Sequence, residues 1–424
     1  MTKKRAVFLF GAGATFEWNS PTTRELTDLI RETGFRTSNN TTTITDFIYS
    51  TLLESGYPSH AINFETIISV IEELVVYYSK FDTNLTVPSI SNVFLTARHE
   101  KQLLNYSIEG IARHGYRLQI PAGGDYPLSK HAYNKETPSQ FFFEQLLAAL
   151  LTGVTARIHE YAYHTETSPM KSVDDDMSKL FVKWMKLLSE DRVLRLYTLN
   201  YERIFKILLA RAGISIFEGF DCEEFVVGTL RANVPRILSD SENHVHYNLH
   251  GSAFWEVLDI DRKQLPNPEI VLPSVFALPL TNQPVSVQIE KGKTLLVTNM
   301  ITGYQKAQRG MITPFKQMQA ALDRDCCFAD ELYIVGYSFG DEHINGSVKT
   351  ALRYNKRLKV TIVDPYFIAN RLDYEFALHF FPFKDHDMRP KKIGNDVYSY
   401  FGDDFTVHTI GFREFLERPP EQGR

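Results

Sequence analysis

Cysteine is scarce in this chain: three residues in 424, at Cys222, Cys326 and Cys327. Two are adjacent and no C-x-x-C occurs, so a disulfide framework and a four-cysteine zinc site are both excluded. This usage fits a reducing compartment, and a cytoplasmic location is expected. No excess of one charge sign exists either. The formal net charge is −5, which exerts no long-range pull on nucleic acid, so direct nucleic-acid binding is not expected. The basic cluster from Arg389 to Lys392 is short, sits beside acids and reads as a solvated loop. Long hydrophobic runs are few. The apolar stretch after "MTKKR" is five residues long before a glycine, too short for a signal-peptide core. "QLLAALLTGV" is the most apolar helical segment, but charges soon follow it. No stretch reaches the ~18–20 residues of a bilayer span, so this segment reads as a buried helix and no membrane partner is expected. Internal repeats and low-complexity segments are absent from the sequence.

What is present is ample core material: 43% hydrophobic residues, 13% of the chain aromatic. The length suggests two or three units of roughly 100–200 residues. "RAVFLF" at 5–10 is a short apolar run ending at Gly11, as suits a central parallel strand buried on both faces. Thr15 to Pro21 reads as a loop. "TTRELTDLIRETG" reads as a helix with Leu26, Leu29 and Ile30 on one face and Gly34 at its end. Strand, Gly-Ala-Gly turn and helix open a nucleotide-binding βα unit.

Residues 41–175 break the pattern. "NFETIISVIEELVVYYSKF" and "TPSQFFFEQLLAALLTGVTARIHEYAYH" carry apolar residues at 3–4 spacing and read as long helices, with a loop-like stretch between them. "SVDDD" caps the next helix, "MSKLFVKWMKLL". Alternation then resumes. "RVLRLYTLN", "HVHYNLHGS", "ELYIVGYS" and "LKVTIVDP" read as strands; "YERIFKILLARAG", "DEHINGSVKTALRYN" and "YFIANRLDYEFALHF" read as helices. The expected fold is therefore α/β: a doubly wound, mostly parallel, Rossmann-like sheet at 1–40 and 176–424, with a large helical insertion at 41–175.

In such a sheet, ligands lie beyond the carboxyl ends of the strands. Five strand ends carry distinctive residues: Gly11 to Thr15, Thr198 to Glu202, Leu249 to Ser252, Gly336 to Ser338, and Val363 to Pro365. Each has two readings. Gly11, Ala12 and Gly13 can bring backbone amides to a diphosphate, or simply turn the chain, since the third glycine of G-x-G-x-x-G is missing. Asn200 can orient a water or bind a ribose hydroxyl, or cap a helix starting at Tyr201. His250 can serve as a general base near pH 7, or be a satisfied loop histidine. Even spacing puts His244, His246 and His250 on one strand face, but no carboxylate or cysteine completes a metal site, and no metal is expected. Asp364 can bind the adenosine ribose, or make a turn before Pro365.

Taken as an ordered set, these segments resemble the sirtuin superfamily. Gly11–Gly13 match its GAG loop, Thr198–Glu202 its T-x-N-x-D segment, His250-Gly251 its catalytic His-Gly, and Gly336–Ser338 its G-[TS]-S turn, while Pro21 and Arg24 echo residues after the GAG loop. The chain departs from protein deacetylases of that family in lacking a zinc module, in Leu199 and Glu202, and in Thr23 where an aromatic would stand. It looks instead like the bacterial sirtuin-like proteins that hydrolyse NAD in anti-phage defence. That resemblance implies an NAD+ glycohydrolase, regulated because constant activity would be toxic, with NAD as substrate. It implies Asn200 and His250 as the catalytic pair, and Gly11, Ala12, Gly13, Thr15, Arg24, Ser338 and Asp364 as nucleotide-binding residues. It also implies a homo-oligomer, or partners such as a helicase-like ATPase or a prokaryotic Argonaute. The 41–175 insertion is the candidate contact region.

One motif points elsewhere. GYSFG, residues 336–340, fits the G-x-S-x-G elbow of serine hydrolases, and Ser338, Asp364 and His379, His386 or His408 stand in the required order. A serine esterase and a non-catalytic NAD or ADP-ribose sensor are thus the alternatives. Against the esterase, the GAG loop, Asn200 and His250 would have no catalytic task.

Overall fold

The computed structural model describes residues 3–79, 90–111, 115–121, 123–129, 137–162, 175–222, 228–259, 268–273, 282–290, 293–303, 306–367, 390–400 and 404–418. The first strand, β1 (Lys4–Phe10), owes its place to its composition. Ala6, Val7, Phe8, Leu9 and Phe10 have no solvent exposure. Phe8 and Phe10 enter one hydrophobic cluster, and Val7 and Leu9 enter another on the opposite face. Period-two alternation with apolar residues on both sides is what a strand between two helical layers requires.

Three strands follow in an antiparallel meander: β2 (Ser107–Ile111), β3 (Gly115–Ile120) and β4 (Gly124–Ser129). The stretch expected to be loop-like is therefore partly sheet. Tyr116, Leu118 and Ile120 alternate with Arg117 and Gln119, and Gly124, at φ +97°, lets the chain reverse into β4. The 41–175 region is accordingly not wholly helical.

Next come β5 (Arg192–Thr198), β6 (Phe220–Cys222), β7 (Thr229–Ala232), β8 (Val245–Asn248), β9 (Glu256–Asp259), β10 (Pro268–Pro273), β11 (Val285–Glu290) and β12 (Lys293–Val297). The chain continues with β13 (Glu331–Val335), β14 (Lys359–Val363), β15 (Lys391–Lys392), β16 (Val397–Tyr400) and β17 (Phe405–His408). The main sheet runs β15-β16-β17-β14-β13-β1-β5-β8. Every pair from β8 to β17 is parallel, while β16 and β15 close the edge antiparallel. Counted from β8, the first six strands have the doubly wound order 3-2-1-4-5-6, whose direction reverses between β1 and β13. Lys391 and Lys392 form a short, exposed edge strand, not a loop, and Arg389 lies outside the described residues. So does most of "YFIANRLDYEFALHF", from residue 368 onward.

Several helices begin at side-chain caps. Thr22 and Glu25 form a reciprocal capping box on Thr23–Glu32. Asn63 caps Phe64–Tyr77, and Asp175 caps Asp176–Ser189 through the Ser178 N–H. The stretch after Gly11 is a 3-10 helix, Ala12–Trp18, in place of the expected loop. Helices of the 41–175 region share the core of the sheet: Ile67, Ile71, Phe142 and Leu147 join the same cluster as Phe8 and Phe10. By length and mean hydropathy, Pro138–Tyr161 does meet the criterion for a membrane span, but 61% of that window is buried inside the protein.

Candidate functional site at the strand switch point

β14, β13, β1, β5 and β8 are consecutive neighbours, so the five strand ends singled out in the sequence meet along one edge of the sheet. At its centre two glycine turns press together. Gly11 N–H donates to the Val335 carbonyl at 2.9 Å, and Gly13 N–H to the Gly336 carbonyl at 3.0 Å. A Cβ on Gly11 would stand 2.5 Å from the Gly336 oxygen. Gly336 itself sits at φ +59°, where a Cβ would lie 2.3 Å from the Ala14 nitrogen. Only glycine at both positions permits this contact. Ala12 and Gly13 remain exposed at the mouth of the crevice.

Asn200 does not cap a helix at Tyr201, because the helix begins later, at Ile204. Its Nδ2 donates instead to the Gly11 carbonyl at 3.0 Å, to Thr15 Oγ1 at 3.3 Å and to Glu202 Oε1 at 3.4 Å. The amide therefore spans from β5 to the glycine loop after β1. Asn248, at the end of β8, donates to the Asn200 and Glu202 carbonyls at 3.0 and 2.9 Å, which fixes the backbone of this turn.

Glu202 is buried, and Tyr161 donates to its Oε2 at 3.4 Å. Burial pushes its pKa up to about 7, although the backbone and the Asn200 and Tyr161 side chains favour the charged form. The sign of the consequence is fixed. Below the ordinary glutamate value of 4.5 the carboxyl is protonated in both folded and unfolded chains. As pH rises from 4.5 to about 7 the unfolded chain is ionised while the folded one stays largely protonated. Stability is thereby lost, on the order of 3 kcal/mol in full. Glu202→Gln should flatten this dependence: between pH 5 and 8 the variant should lose clearly less unfolding free energy than wild type in urea titrations. Parallel pH profiles for the two proteins would refute the buried-acid reading.

His250 follows β8 and is 3% exposed. Its ring faces the Leu199 backbone, which weakly favours the charged form. Asn200 and His250 thus follow neighbouring parallel strands, β5 and β8. Nε2 has no hydrogen-bond partner and lies 4.0 Å from Asp341 Oδ1. Burial drives the His250 pKa well below the ordinary value and Lys306 adds to this, while Asp341 opposes it. The imidazole is neutral at pH 7, with Nε2 free to accept a proton. Gly251, at φ +88°, packs its Cα against the Asn299 carbonyl, where a Cβ would come to 2.1 Å.

The other expected residues fall differently. Thr15 is buried beside Asn200. Ser338 is exposed on the turn after β13. Asp364 Oδ1 accepts from the Tyr366 N–H at 2.8 Å, as in a turn. Arg24 is not gathered in: its side chain is 92% exposed and faces Asp28 at 4.0 Å. His244 Nδ1 accepts from the Leu194 N–H at 2.9 Å, and among the described residues no group of three or more His, Cys, Asp or Glu converges as metal ligands. Asp341, which in sequence looks like a helix cap, occupies the N-cap of Glu342–Tyr354 but bonds no backbone N–H there. It pairs with Lys306 Nζ at 2.8 Å. Lys306, Asp341 and Tyr161 were missed because no local pattern distinguishes them from surface or core residues of the same type. A separate cavity of 380 Å³, lined by Ser189, Gly213, Phe217, Arg236 and His244, opens at the other end of the strands.

No protein-family model and no curated protein matches the chain. Among solved structures it is similar to a Sir2 homologue in complex with NAD, at 12% identity and a TM-score of 0.37, over 98% of this chain and 87% of that one. It is similar to a mutant Sir2 homologue in complex with 2'-O-acetyl ADP-ribose, at 13% identity and a TM-score of 0.34, over 86% and 81% of the two chains. A third, a mutant Sir2 homologue in complex with ADP-ribose, stands at 13% identity and 0.33 over the same shares. Likeness at this level says nothing about the site. The class is set by the chain's own strand order: a doubly wound α/β protein whose order reverses between β1 and β13.

Proposed function

We propose that this protein is an NAD+ glycohydrolase that cleaves the bond between nicotinamide and ribose, with Asn200 and His250 as its catalytic pair. The observation that carries the reading is the placement of Asn200 and His250 after the adjacent parallel strands β5 and β8, with Asn200 anchored on the Gly11 carbonyl. An amide and a neutral imidazole then face one crevice, next to a glycine turn suited to a diphosphate. Nicotinamide leaves as a neutral base from a cationic pyridinium, so no acid is needed to expel it. The transition state is oxocarbenium-like, and the protein's tasks are to hold the ribose, exclude bulk water and aim one nucleophilic water. Asn200 Oδ1 would orient that water or a ribose hydroxyl, and His250 Nε2 would take the proton. Gly11, Ala12, Gly13 and Thr15 would hold the diphosphate, with Ser338 and Asp364 on the ribose and adenosine side. The wider proposal is a restrained, cytoplasmic defence effector that depletes NAD on phage infection, as a homo-oligomer or with a helicase-like ATPase.

Incubation with NAD and detection of free nicotinamide tests the core of this. Turnover is expected from wild type and not from His250→Ala. Bound but intact NAD would favour the sensor instead. Fluorophosphonate labelling distinguishes the esterase. The positive φ falls on Gly336 and Phe339, not on Ser338, so the turn lacks the strained nucleophile of an elbow. No label is expected on Ser338, and stoichiometric labelling would replace the proposal by a serine hydrolase.

A further inference from the structure

We propose that Asp341 and His250 together grip the vicinal diol of the nicotinamide-side ribose, and that Lys306 and Glu65 hold Asp341 for this task; the inference rests on the dinucleotide reading above. An aspartate at a helix N-cap ordinarily accepts a backbone N–H, a bond whose loss costs about 1 kcal/mol. Asp341 forgoes it. Its carboxylate turns instead to Lys306 Nζ at 2.8 Å and stands 4.0 Å from His250 Nε2. His343, from the same helix, stacks obliquely beside His250 with ring centroids 5.6 Å apart. The pKa of Asp341 is held below the ordinary aspartate value: burial opposes ionisation, and the Lys306 ammonium beside the carboxylate favours it.

Two acceptors then face each other. Neutral His250, in the tautomer that carries its proton on Nδ1, presents an unpartnered lone pair at Nε2. Asp341 Oδ1 presents another. A single hydroxyl carries one proton and can serve only one of them. Two hydroxyls on adjacent carbons, with oxygens roughly 3 Å apart, can each donate to one acceptor at ordinary hydrogen-bond length. A ribose cis-diol has that form.

The support for Asp341 comes from the 41–175 region. Glu65, on Phe64–Tyr77, faces Lys306 at 3.5 Å. Seven residues on, Glu72 pairs with Arg309 and accepts from Thr302 Oγ1 at 2.8 Å. One helix face thereby holds Thr302 and Arg309 through Glu72 and Lys306 through Glu65, and sets the lysine against Asp341. Glu65 and Lys306 are positioning residues here, and Asp341 is the group that meets the sugar.

The test is equilibrium binding of ADP-ribose and of ADP, which lacks the second ribose, to wild type and to the near-isosteric Asp341→Asn. Wild type should prefer ADP-ribose. The variant should bind ADP-ribose ~10-fold or more weakly, because a neutral amide replaces the charged acceptor and its NH2 can turn to His250 Nε2 in place of the sugar, while ADP affinity stays within about twofold. Because His250 serves the same diol, adding His250→Ala to Asp341→Asn should cost less than the sum of the single effects. Unchanged ADP-ribose affinity in Asp341→Asn, equal loss of both ligands, or no wild-type preference for ADP-ribose would each overturn the inference. Selective binding as described without any nicotinamide release would leave it standing and sink the glycohydrolase reading instead.

Discussion

Asn200→Ala should reduce nicotinamide release from NAD by on the order of 10² to 10³, the range for removing one preorganised polar group from a reacting centre. The basis is the way the amide is oriented. Nδ2 is committed to the Gly11 carbonyl, Thr15 and Glu202, which leaves Oδ1 as the free acceptor in the crevice. Alanine removes that acceptor, together with the link from β5 to the glycine loop. The structural cost is smaller, about 1 kcal/mol for a partly buried hydrogen bond, so the variant should stay folded. Asn200→Asp discriminates further, because a carboxylate would face the Gly11 carbonyl without a proton to offer. It should be as inactive as alanine, and less stable. Activity near the wild-type level in either variant, measured as nicotinamide by chromatography, would remove Asn200 from the mechanism.

The second large effect is expected at Gly336. In Gly336→Ala the new methyl would lie 2.3 Å from the Ala14 nitrogen and 2.4 Å from the Gly13 carbonyl carbon, at a φ of +59°. These are backbone atoms on the neighbouring turn, which cannot rotate aside as a side chain does. Left-handed strain and the clash together should cost about 3 kcal/mol or more, and dinucleotide binding should be lost as the two turns separate. Gly11→Ala meets the same obstacle from the other side, 2.5 Å from the Gly336 oxygen. Gly346 provides the control. It lies inside Glu342–Tyr354, where a methyl would meet no atom within 4 Å, so Gly346→Ala should stabilise by about 1 kcal/mol. Denaturant midpoints for the three variants check the order. A Gly336→Ala protein as stable as Gly346→Ala would refute the tight apposition of the turns.

Much of the frame was legible in the chain because local rules and tertiary structure agreed. "RAVFLF" is buried on both faces because it has no polar side to expose. Thr22, Asn63 and Asp175 begin helices because their side chains meet backbone N–H groups that the first turn leaves free. The meander at 107–129 was less evident, since its alternation is interrupted by glycine and proline, and its pairing depends on three short segments finding one another. Asp341 misled in an instructive way: its position is that of a cap, and its side chain serves a different partner. Arg24 shows the reverse, a residue with a motif's address and a solvent-facing side chain.

By itself the sequence determined the strand and helix types, the glycine turns, and the residues that stand at the carboxyl ends of β1, β5, β8, β13 and β14, because these follow from hydrophobic period and backbone freedom over a few neighbouring positions. Only the tertiary structure decided that β1 lies between β5 and β13, that His250 stands 4.0 Å from Asp341, and that Glu65 reaches Lys306 across more than two hundred residues of chain. Such contacts are set by how layers pack and by where buried charges find partners, and a charge buried beside its counter-ion leaves no periodic trace in the order of the residues.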